Sequence, residues 1–412
     1  MKRIAGLMAC LSLSLAVHAA NSPEIVLRHD LSGPAEAALA TLVLRFNGEQ
    51  KSHAKVLLQA LKDVADPRVL PQMAFVDIDD SDLFFKGRPS FKPLYQVMAE
   101  SGERLDARSF LPLIADAVDD SQGRLQALPL GMAMPALLWN KEAFARAGLD
   151  PETAPKTWLD VQKAAASLYD AGYKCPLTSS RFSWVHLENI STQHGEPISV
   201  PDGHGVLKVV LNRMVEVKHI ALLSSWYKSF YFHYFGPGDA ADGKFLSGEC
   251  AMLTGAASLY AVAARGKFLT GIAPLPYYDD FYGATPDKIL PDGAALWVLA
   301  GQKKDEYRVA AHFAKFMLRP EVQQEWLKAT GYLPMTAAAL LTLKLDRAGL
   351  RDADFHRLSE KKYVTTRSKH GFGLDRLRDI LNEEMETVWR NTQPAKAALD
   401  TAMRRFNLSG SR

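Results

Sequence analysis

The feature that most constrains the fold is the alternation of strand-like and helix-like segments along the chain. Apolar strand-like runs at 24–27, 73–78, 251–254 and 294–300 are interspersed with segments of helical periodicity. Such alternation indicates an α/β protein with mostly parallel sheets. In sheets of this kind, ligands bind in the loops outside the carboxyl ends of the strands.

Capping residues mark where several helices should begin and end. An apolar extended run at 129–139 leads to Asn140, a good N-cap, and Gly148 ends the predicted helix. The tetrapeptide Thr-Trp-Leu-Asp at 157–160 fits a capping box before the next helix. A long helix is also predicted at 374–389.

The amino terminus has the pattern of an export signal. Basic Lys2 and Arg3 precede an apolar run at 4–17, which is too short to span a bilayer and is followed by small residues. We therefore expect residues 1–20 to be a signal peptide and the mature protein to be exported. Lipidation at Cys10 is the less favoured alternative, because the apolar run continues past it.

The overall charge argues against nucleic acid as a partner. The formal net charge is +3, and loss of Lys2 and Arg3 with the signal leaves +3 − 2 = +1.

The length is sufficient for two domains. No later segment is long and apolar enough to cross a membrane.

Two cysteines follow the predicted signal, Cys175 and Cys250. An even pair in an exported protein indicates a disulfide, here closing a loop of 250 − 175 = 75 residues. The alternative is two buried free thiols.

Enzyme motifs are not found in the sequence. The segment 238–244 resembles a phosphate-binding loop, but Phe245 stands where a magnesium-binding hydroxyl is needed, so a surface loop is favoured. The 11 histidines show no tight metal-ligand spacing. His29 with Asp30, and His186, could each be ligands, but a structural role is favoured for both. We expect no catalytic residues, no metal and no cofactor.

An aromatic segment at 226–235 allows two interpretations. Seven of its ten residues are Trp, Tyr or Phe. They could line a pocket for a sugar or a quaternary ammonium group. Packing in the core is favoured, because aromatic side chains dominate protein cores.

A series of short motifs resembles the periplasmic substrate-binding proteins of ABC importers, the group that includes maltose-binding protein. Within it, the likeness is greatest to members that bind sn-glycerol-3-phosphate. The order and spacing of the motifs are kept from about 128 to 389. They are LWNKEAFARAGLD (138–150), PKTW (155–158), YKC (173–175), WVHLENIS (184–191), VKHIA (217–221), GECAM (248–252), GAALWV (293–298), TGYLP (330–334) and EEMETVW (383–389).

The resemblance implies a two-domain α/β periplasmic-binding-protein fold like that of maltose-binding protein, with a cleft between domains joined by hinge crossings. Domain 1 would comprise 21–130 plus 299–332, and domain 2 would comprise 131–298 plus 333–412. The small residues Gly131 and Ala133 would lie at the mouth of the cleft. Such domains close around ligand by hinge motion.

The resemblance also implies ligand-binding residues, several of which depart from the family pattern. Ala133 replaces a serine, Arg181 replaces a tryptophan, and Ile78 or Asp79 stands where a glutamate is expected. His370 stands where an arginine should bind phosphate, with Arg367 nearby as a substitute. The positions that match are Trp184, Ser258, Gly293 and Tyr332, each of which also has a structural interpretation in the core, the hinge or a turn.

The expected function is capture of a small solute and its delivery to ABC permease subunits served by a separate ATPase, by a protein expected to be a monomer. Candidate ligands are sn-glycerol-3-phosphate, glycerophosphodiesters, and neutral sugars or polyols. The alternatives are a secreted hydrolase on the same scaffold and a ligand-presenting partner of a membrane sensor.

Overall fold

The computed structural model describes residues 23–409 apart from 51–53, 65, 67–68, 79–90, 121, 204–206, 282, 285–287 and 343–373. The predicted signal peptide and several expected site positions, Asp79, Arg367 and His370, lie outside the described residues.

Strands and helices alternate through the described chain. The strands are β1 (Glu24–His29), β2 (Lys55–Ala60), β3 (Met73–Asp77), β4 (Leu128–Ala133), β5 (Pro135–Asn140), β6 (Cys175–Ser179), β7 (Ser199–Pro201), β8 (Leu207–Val209), β9 (Phe232–His233), β10 (Cys250–Ala256), β11 (Thr270–Pro274) and β12 (Asp292–Val298). The helices are α1 (Gly33–Glu49), α2 (Leu94–Glu100), α3 (Pro112–Ala115), α4 (Lys141–Arg146), α5 (Trp158–Asp170), α6 (Asn189–Gln193), α7 (Met214–Lys228), α8 (Asp242–Leu246), α9 (Tyr260–Ala263), α10 (Lys304–Met317), α11 (Pro320–Thr330), α12 (Ala337–Thr342), α13 (Leu374–Trp389) and α14 (Ala395–Ser409). A π-helical turn, Trp184–Glu188, leads into α6.

Two five-stranded sheets organise the molecule. The first has the order β2-β1-β3-β12-β4, and the second has the order β11-β5-β10-β6-β9. We call the first sheet with α1, α2, α10 and α11 the first lobe, and the second sheet with α4 to α7, α13 and α14 the second lobe. Each lobe has its own apolar core, and a smaller cluster lies where the chain passes between them.

The sheets are mixed, so the prediction of mostly parallel sheets is wrong. Pairs β1–β2, β1–β3, β6–β10 and β6–β9 are parallel, whereas β12 runs antiparallel to β3 and β4, and β5 to β10 and β11. The antiparallel pairs all involve β4, β5, β11 or β12. These strands adjoin the crossings between the sheets, and a chain that enters a sheet from the other lobe does not have to follow the direction of the βαβ units there.

The extended run at 129–139 is divided between the two sheets. Its first part forms β4 and its second part forms β5, with only Met134 between them. The chain crosses back between β11 and β12. The predicted domain boundary at 130/131 thus falls inside β4, and the one at 298/299 falls directly after β12. We propose that the first domain extends to Ala133 and includes β12.

The predicted caps are confirmed. The side chain of Asn140 accepts hydrogen bonds from the backbone N–H groups of Glu142 and Ala143, both at 3.0 Å. Thr157 and Asp160 form the reciprocal capping box, with both hydrogen bonds at 3.1 Å. Local sequence therefore sets where α4 and α5 begin.

The predicted disulfide between Cys175 and Cys250 is also present. The two residues are direct partners on the neighbouring parallel strands β6 and β10. The bridge lies wholly in the second lobe. Among the described helices, none has the length and apolar character that a membrane crossing would require.

Candidate functional site

Acidic residues collect where strands of the first sheet meet the crossings between the lobes. Asp30 directly follows β1, and Asp77 ends β3. Because β12 is antiparallel to β3, its first residue, Asp292, lies near the same edge as Asp77. The carboxyl ends of strands are where α/β proteins bind ligands.

Arg181, from the loop after β6, extends from the second lobe to this acidic edge. Its Nε donates to Asp239 Oδ1 at 2.9 Å, and its Nη1 donates to Asp77 Oδ2 at 3.2 Å. Burial by itself would lower the pKa of Arg181, but the carboxylates of Asp77, Asp239 and Asp292 raise it well above its ordinary value. The guanidinium is therefore a permanent cation that joins the two lobes.

A second arginine, Arg378 of α13, forms a buried ion triad beside the first. Its Nε and Nη2 donate to both carboxylate oxygens of Glu188 at 2.7 and 2.8 Å, and its Nη1 donates to Asp292 at 2.6 Å. The side chains of Glu188 and Asp292 are fully buried. Burial lowers the pKa of Arg378 to about 10, and the charge of Asp77 opposes that shift. This triad links α13 to Asp292, the first residue of β12 after the chain crosses back from the second sheet.

Tyr332 faces the same charged group. Its ring packs on Trp326, with ring centroids 5.9 Å apart. Burial raises the pKa of its hydroxyl to about 12, and the charge of Arg181 opposes that rise. Nearby carboxylates add to it, namely Asp30, Asp77 and Asp239. At neutral pH the hydroxyl is therefore protonated and can donate or accept a hydrogen bond.

Ser258 packs against Gly331, the residue before Tyr332, because the two lobes approach closely there. Gly331 has φ +72°, and a Cβ added there would lie 2.5 Å from the carbonyl oxygen of Ser258. Ser258 belongs to a short 3-10 turn, Ala257–Leu259, that follows β10. The expected site residues Ser258 and Tyr332 are thus brought together from different lobes.

Ala133 and Gly293 lie at the edge where β4 and β12 pair. Ala133 is the partner of Asp292, and Gly293 has φ +141°, with a potential Cβ only 2.1 Å from the carbonyl oxygen of Gly131. The backbone N–H of Ile78 donates to the Gly293 carbonyl at 2.8 Å. A side chain at Gly293 would collide with the backbone of β4, so glycine is needed at that position.

Trp184 is a core residue in this structure. It is 1% exposed and packs in the apolar core of the second lobe. Its indole N–H donates to the carbonyl oxygen of Leu290 at 2.8 Å. These contacts favour the structural interpretation of Trp184.

A hollow of about 370 Å³ adjoins the acidic edge at the ends of β1 and β2. Asp30 lines this hollow, and the same residue is acted on by the charges of Arg181, Asp77 and Asp239. The other lining residues are His29, Leu31, Ala60, Leu61 and Lys62. The acidic edge therefore continues into open space large enough for part of a small solute.

Comparison with known proteins identifies the family. Residues 53–351 match the bacterial extracellular solute-binding proteins. The chain belongs to this family. A relative from Yersinia pseudotuberculosis, the sn-glycerol-3-phosphate-binding periplasmic protein UgpB, is 36% identical over 326 residues, which cover 77% of this chain and 74% of the relative. UgpB of Yersinia enterocolitica is 31% identical over 98% of this chain and 96% of its own length.

Solved structures of such solute-binding proteins confirm the fold. UgpB from Mycobacterium tuberculosis in complex with glycerophosphocholine has a TM-score of 0.72 at 18% identity, covering 94% of this chain and 98% of its own. Maltose-bound MalE3 of T. maritima has a TM-score of 0.74 at 15% identity, covering 94% and 100%. The chain therefore has the periplasmic-binding-protein fold of the maltose-binding group. At these identities the likeness establishes the fold alone.

A hydroxyl–histidine chain is the feature of this solute-binding protein that most resembles catalytic machinery. Thr254 Oγ1 lies 3.0 Å from His186 Nε2, and His186 Nδ1 lies 2.8 Å from His219 Nε2. All three side chains are fully buried, so a substrate has no access to the hydroxyl. Within the described residues no His, Cys, Asp and Glu group is arranged to hold a metal.

Sequence reasoning missed Asp239 and the Arg378 triad, and it considered Asp30 only beside His29 and not as part of a solute site. The triad could have been predicted from the sequence of α13. Arg378 lies between the buried residues Leu377 and Leu381, and a buried arginine requires a carboxylate partner. Asp239 gave no such signal, because it is an exposed loop residue 58 positions from Arg181.

Proposed function

We propose that this protein is the periplasmic solute-binding component of an ABC importer, and that it captures sn-glycerol-3-phosphate or a glycerophosphodiester and delivers it to a membrane permease with a separate ATPase. The observation that carries the proposal is the charged contact of Arg181 with Asp77 across the two lobes, at the strand ends where Tyr332 and Ser258 also meet. A polar solute held there touches both lobes and favours the closed form.

The assignment of solute is supported by the relatives that cover most of the chain, which are named for binding sn-glycerol-3-phosphate. The two-lobed fold supports the importer role. Of the ligand residues we propose, Asp79 and His370 lie outside the described residues, so their contribution rests on the sequence resemblance. Trp184 is proposed to support the site from behind rather than to stack on the ligand.

Isothermal titration calorimetry tests the proposal. The mature chain is unfolded and refolded to remove carried ligand, and its folding is verified by circular dichroism. It is then titrated with sn-glycerol-3-phosphate and with glycerophosphocholine. Micromolar binding of either is expected, and Arg181→Ala should weaken it, whereas Arg146→Ala on α4 should not. A folded protein that gives no heat with either ligand would contradict the proposed solute.

A neutral sugar or polyol is the second candidate ligand. The carboxylates of Asp30 and Asp77 and the hydroxyl of Tyr332 favour it, because such groups bind sugar hydroxyls well. Maltose and glycerol, titrated in the same series, would reveal this alternative by binding when both phosphates fail. A secreted hydrolase is disfavoured by the burial of Thr254 and His186.

A further inference from the structure

We propose that Asp239 is a specificity-determining residue that sets the charge Arg181 presents to a ligand. It lowers the affinity of the cleft for a dianionic phosphate monoester relative to a zwitterionic phosphodiester. This inference rests on the cleft described under the proposed function and adds the class of solute that the cleft favours.

The loop that carries Asp239 holds Arg181 at two points. The backbone N–H of Arg181 donates to the carbonyl oxygen of Gly238 at 2.7 Å, and the next residue, Asp239, accepts from the side chain. Arg181 itself has φ +48°, a left-handed conformation that a non-glycine residue adopts at a cost. The contacts from this loop therefore fix both the backbone and the guanidinium, and Asp239 is the residue that positions the charge.

The charge of Arg181 is already balanced before any ligand is considered. Two of its nitrogens are directed at carboxylates, one from each lobe, Asp239 and Asp77. Asp30 lies close by. Burial, and after it the charge of Asp77, raises the pKa of Asp30, whereas the charge of Arg181 lowers it. Burial together with Asp239 raises the pKa of Asp242 to about 6.

A dianion that reaches Arg181 meets a cation that is already shared between the carboxylates of Asp77 and Asp239. Like charges placed together reduce affinity and select against the wrong partner. A phosphodiester carries one negative charge fewer, and a cationic headgroup on it would meet Asp30 or Asp77 favourably. The described residues therefore favour the zwitterionic phosphodiester.

The test compares two ligands on matched variants. Asp239→Asn removes the charge while keeping the size and one hydrogen-bond acceptor, so Arg181 becomes available to phosphate. We expect the ratio of affinities for sn-glycerol-3-phosphate over glycerophosphocholine to rise about three- to tenfold, as for a partly exposed charge pair, and the rise to shrink at high salt. The control is Asp280→Asn, which removes an exposed partner of Lys218 in the same lobe and should leave the ratio unchanged. A ratio unchanged in Asp239→Asn would overturn the inference.

A second readout makes the inference independent of the proposed solute. Inorganic phosphate is added at constant ionic strength, with chloride as the reference, and the melting temperature is measured. Asp239→Asn should gain stabilisation by phosphate that the wild type lacks, and Arg181→Ala in the same background should abolish the gain. If the wild type binds neither organic ligand, the proposed function fails, but the gain still supports the role of Asp239. No gain over the wild type would contradict that role.

Discussion

The buried ion triad of Arg378 gives the clearest prediction at the scale of single residues. Replacing Arg378 by Met removes the cation that pairs with the fully buried carboxylates of Glu188 and Asp292. Breaking a buried pair from one side costs about 3–5 kcal/mol. We expect the free energy of unfolding in urea to fall by about that amount.

The matched control is Arg390→Met, directly after α13. Arg390 pairs with Glu386, but both side chains are exposed, at 72% and 44%. Exposed pairs contribute about 0–1 kcal/mol. Equal losses in the two variants would show that the triad does not stabilise the fold beyond a surface ion pair.

The buried histidines predict how stability depends on pH. Burial lowers the pKa of His186 to about 3, and burial followed by the charge of His186 lowers that of His219 well below its ordinary value. The folded protein therefore keeps both histidines neutral. His219 is also hydrogen-bonded to Tyr278, whose hydroxyl lies 2.8 Å from His219 Nδ1. Their contribution to stability is complete above about pH 6.5, the value in the unfolded chain, and is lost as the pH falls toward the folded values.

Urea unfolding at several pH values between about 7.5 and 5 measures this loss, because stability declines wherever the unfolded state binds more protons. The double variant His186→Gln, His219→Gln should show a flatter decline. A slope unchanged in the double variant would show that other groups cause the decline.

At the scale of elements, the ends of helices could be predicted from the sequence, whereas the pairing of strands could not. The caps of α4 and α5 and the bounds of α13 were predicted because each depends on residues within one or two turns. Periodicity did not predict the division of one apolar run into β4 and β5, because it does not record which sheet a strand joins; only the resemblance placed a domain boundary within this run. The mixed strand directions were missed for the same reason.

The aromatic segment shows a similar limit. Trp226 and Phe232 are buried, and Phe232 and Tyr234 pack around Trp389 of α13, with ring centroids 5.6 and 5.8 Å from it. This favours the core interpretation for these members. The aromatic composition indicated that these side chains are buried. Only the fold shows that Phe232 packs on Trp389, which lies 389 − 232 = 157 positions away.

The end of α11 gives a prediction about how the two lobes meet. Gly331→Ala places a Cβ in a left-handed position and 2.5 Å from the backbone of Ser258. Backbone cannot move aside as a flexible side chain can, so the lobes must separate locally. We expect a loss of stability in urea, an increased radius of gyration by small-angle X-ray scattering, and weaker ligand binding.

Gly148→Ala is the control for the left-handed conformation alone. Gly148 has φ +73° and also follows a helix, but a Cβ there meets nothing within 4 Å. Its cost should be about 1 kcal/mol with no change in the radius of gyration. If Gly331→Ala behaved in the same way, the close approach at Ser258 would not hold the lobes together.

At the scale of the whole molecule, the candidate site could be predicted only in part. Gly293 and Ala133 were identified by resemblance, and the structure brings them to the same edge as Arg181. The grouping of Asp30 with Asp239 was missed because the two meet only when the loops of two lobes are placed against each other. The domain division remains a prediction, and the separate cores make it testable.

Removing the disulfide should distinguish the two lobes. The bridge Cys175–Cys250 closes a loop across 75 positions that lies within the second lobe, and its loss costs about 4 kcal/mol in the chain-entropy model. The first lobe has its own core and does not contain the bridge. The double variant Cys175→Ser, Cys250→Ser should therefore show faster amide hydrogen exchange in β6 and β10 and little change in β1 and β3. A reductant should reproduce this pattern in the wild type and add nothing in the variant. Equal acceleration in both lobes would show that they unfold as one cooperative unit, and the proposed division into two domains would then lose its support in stability.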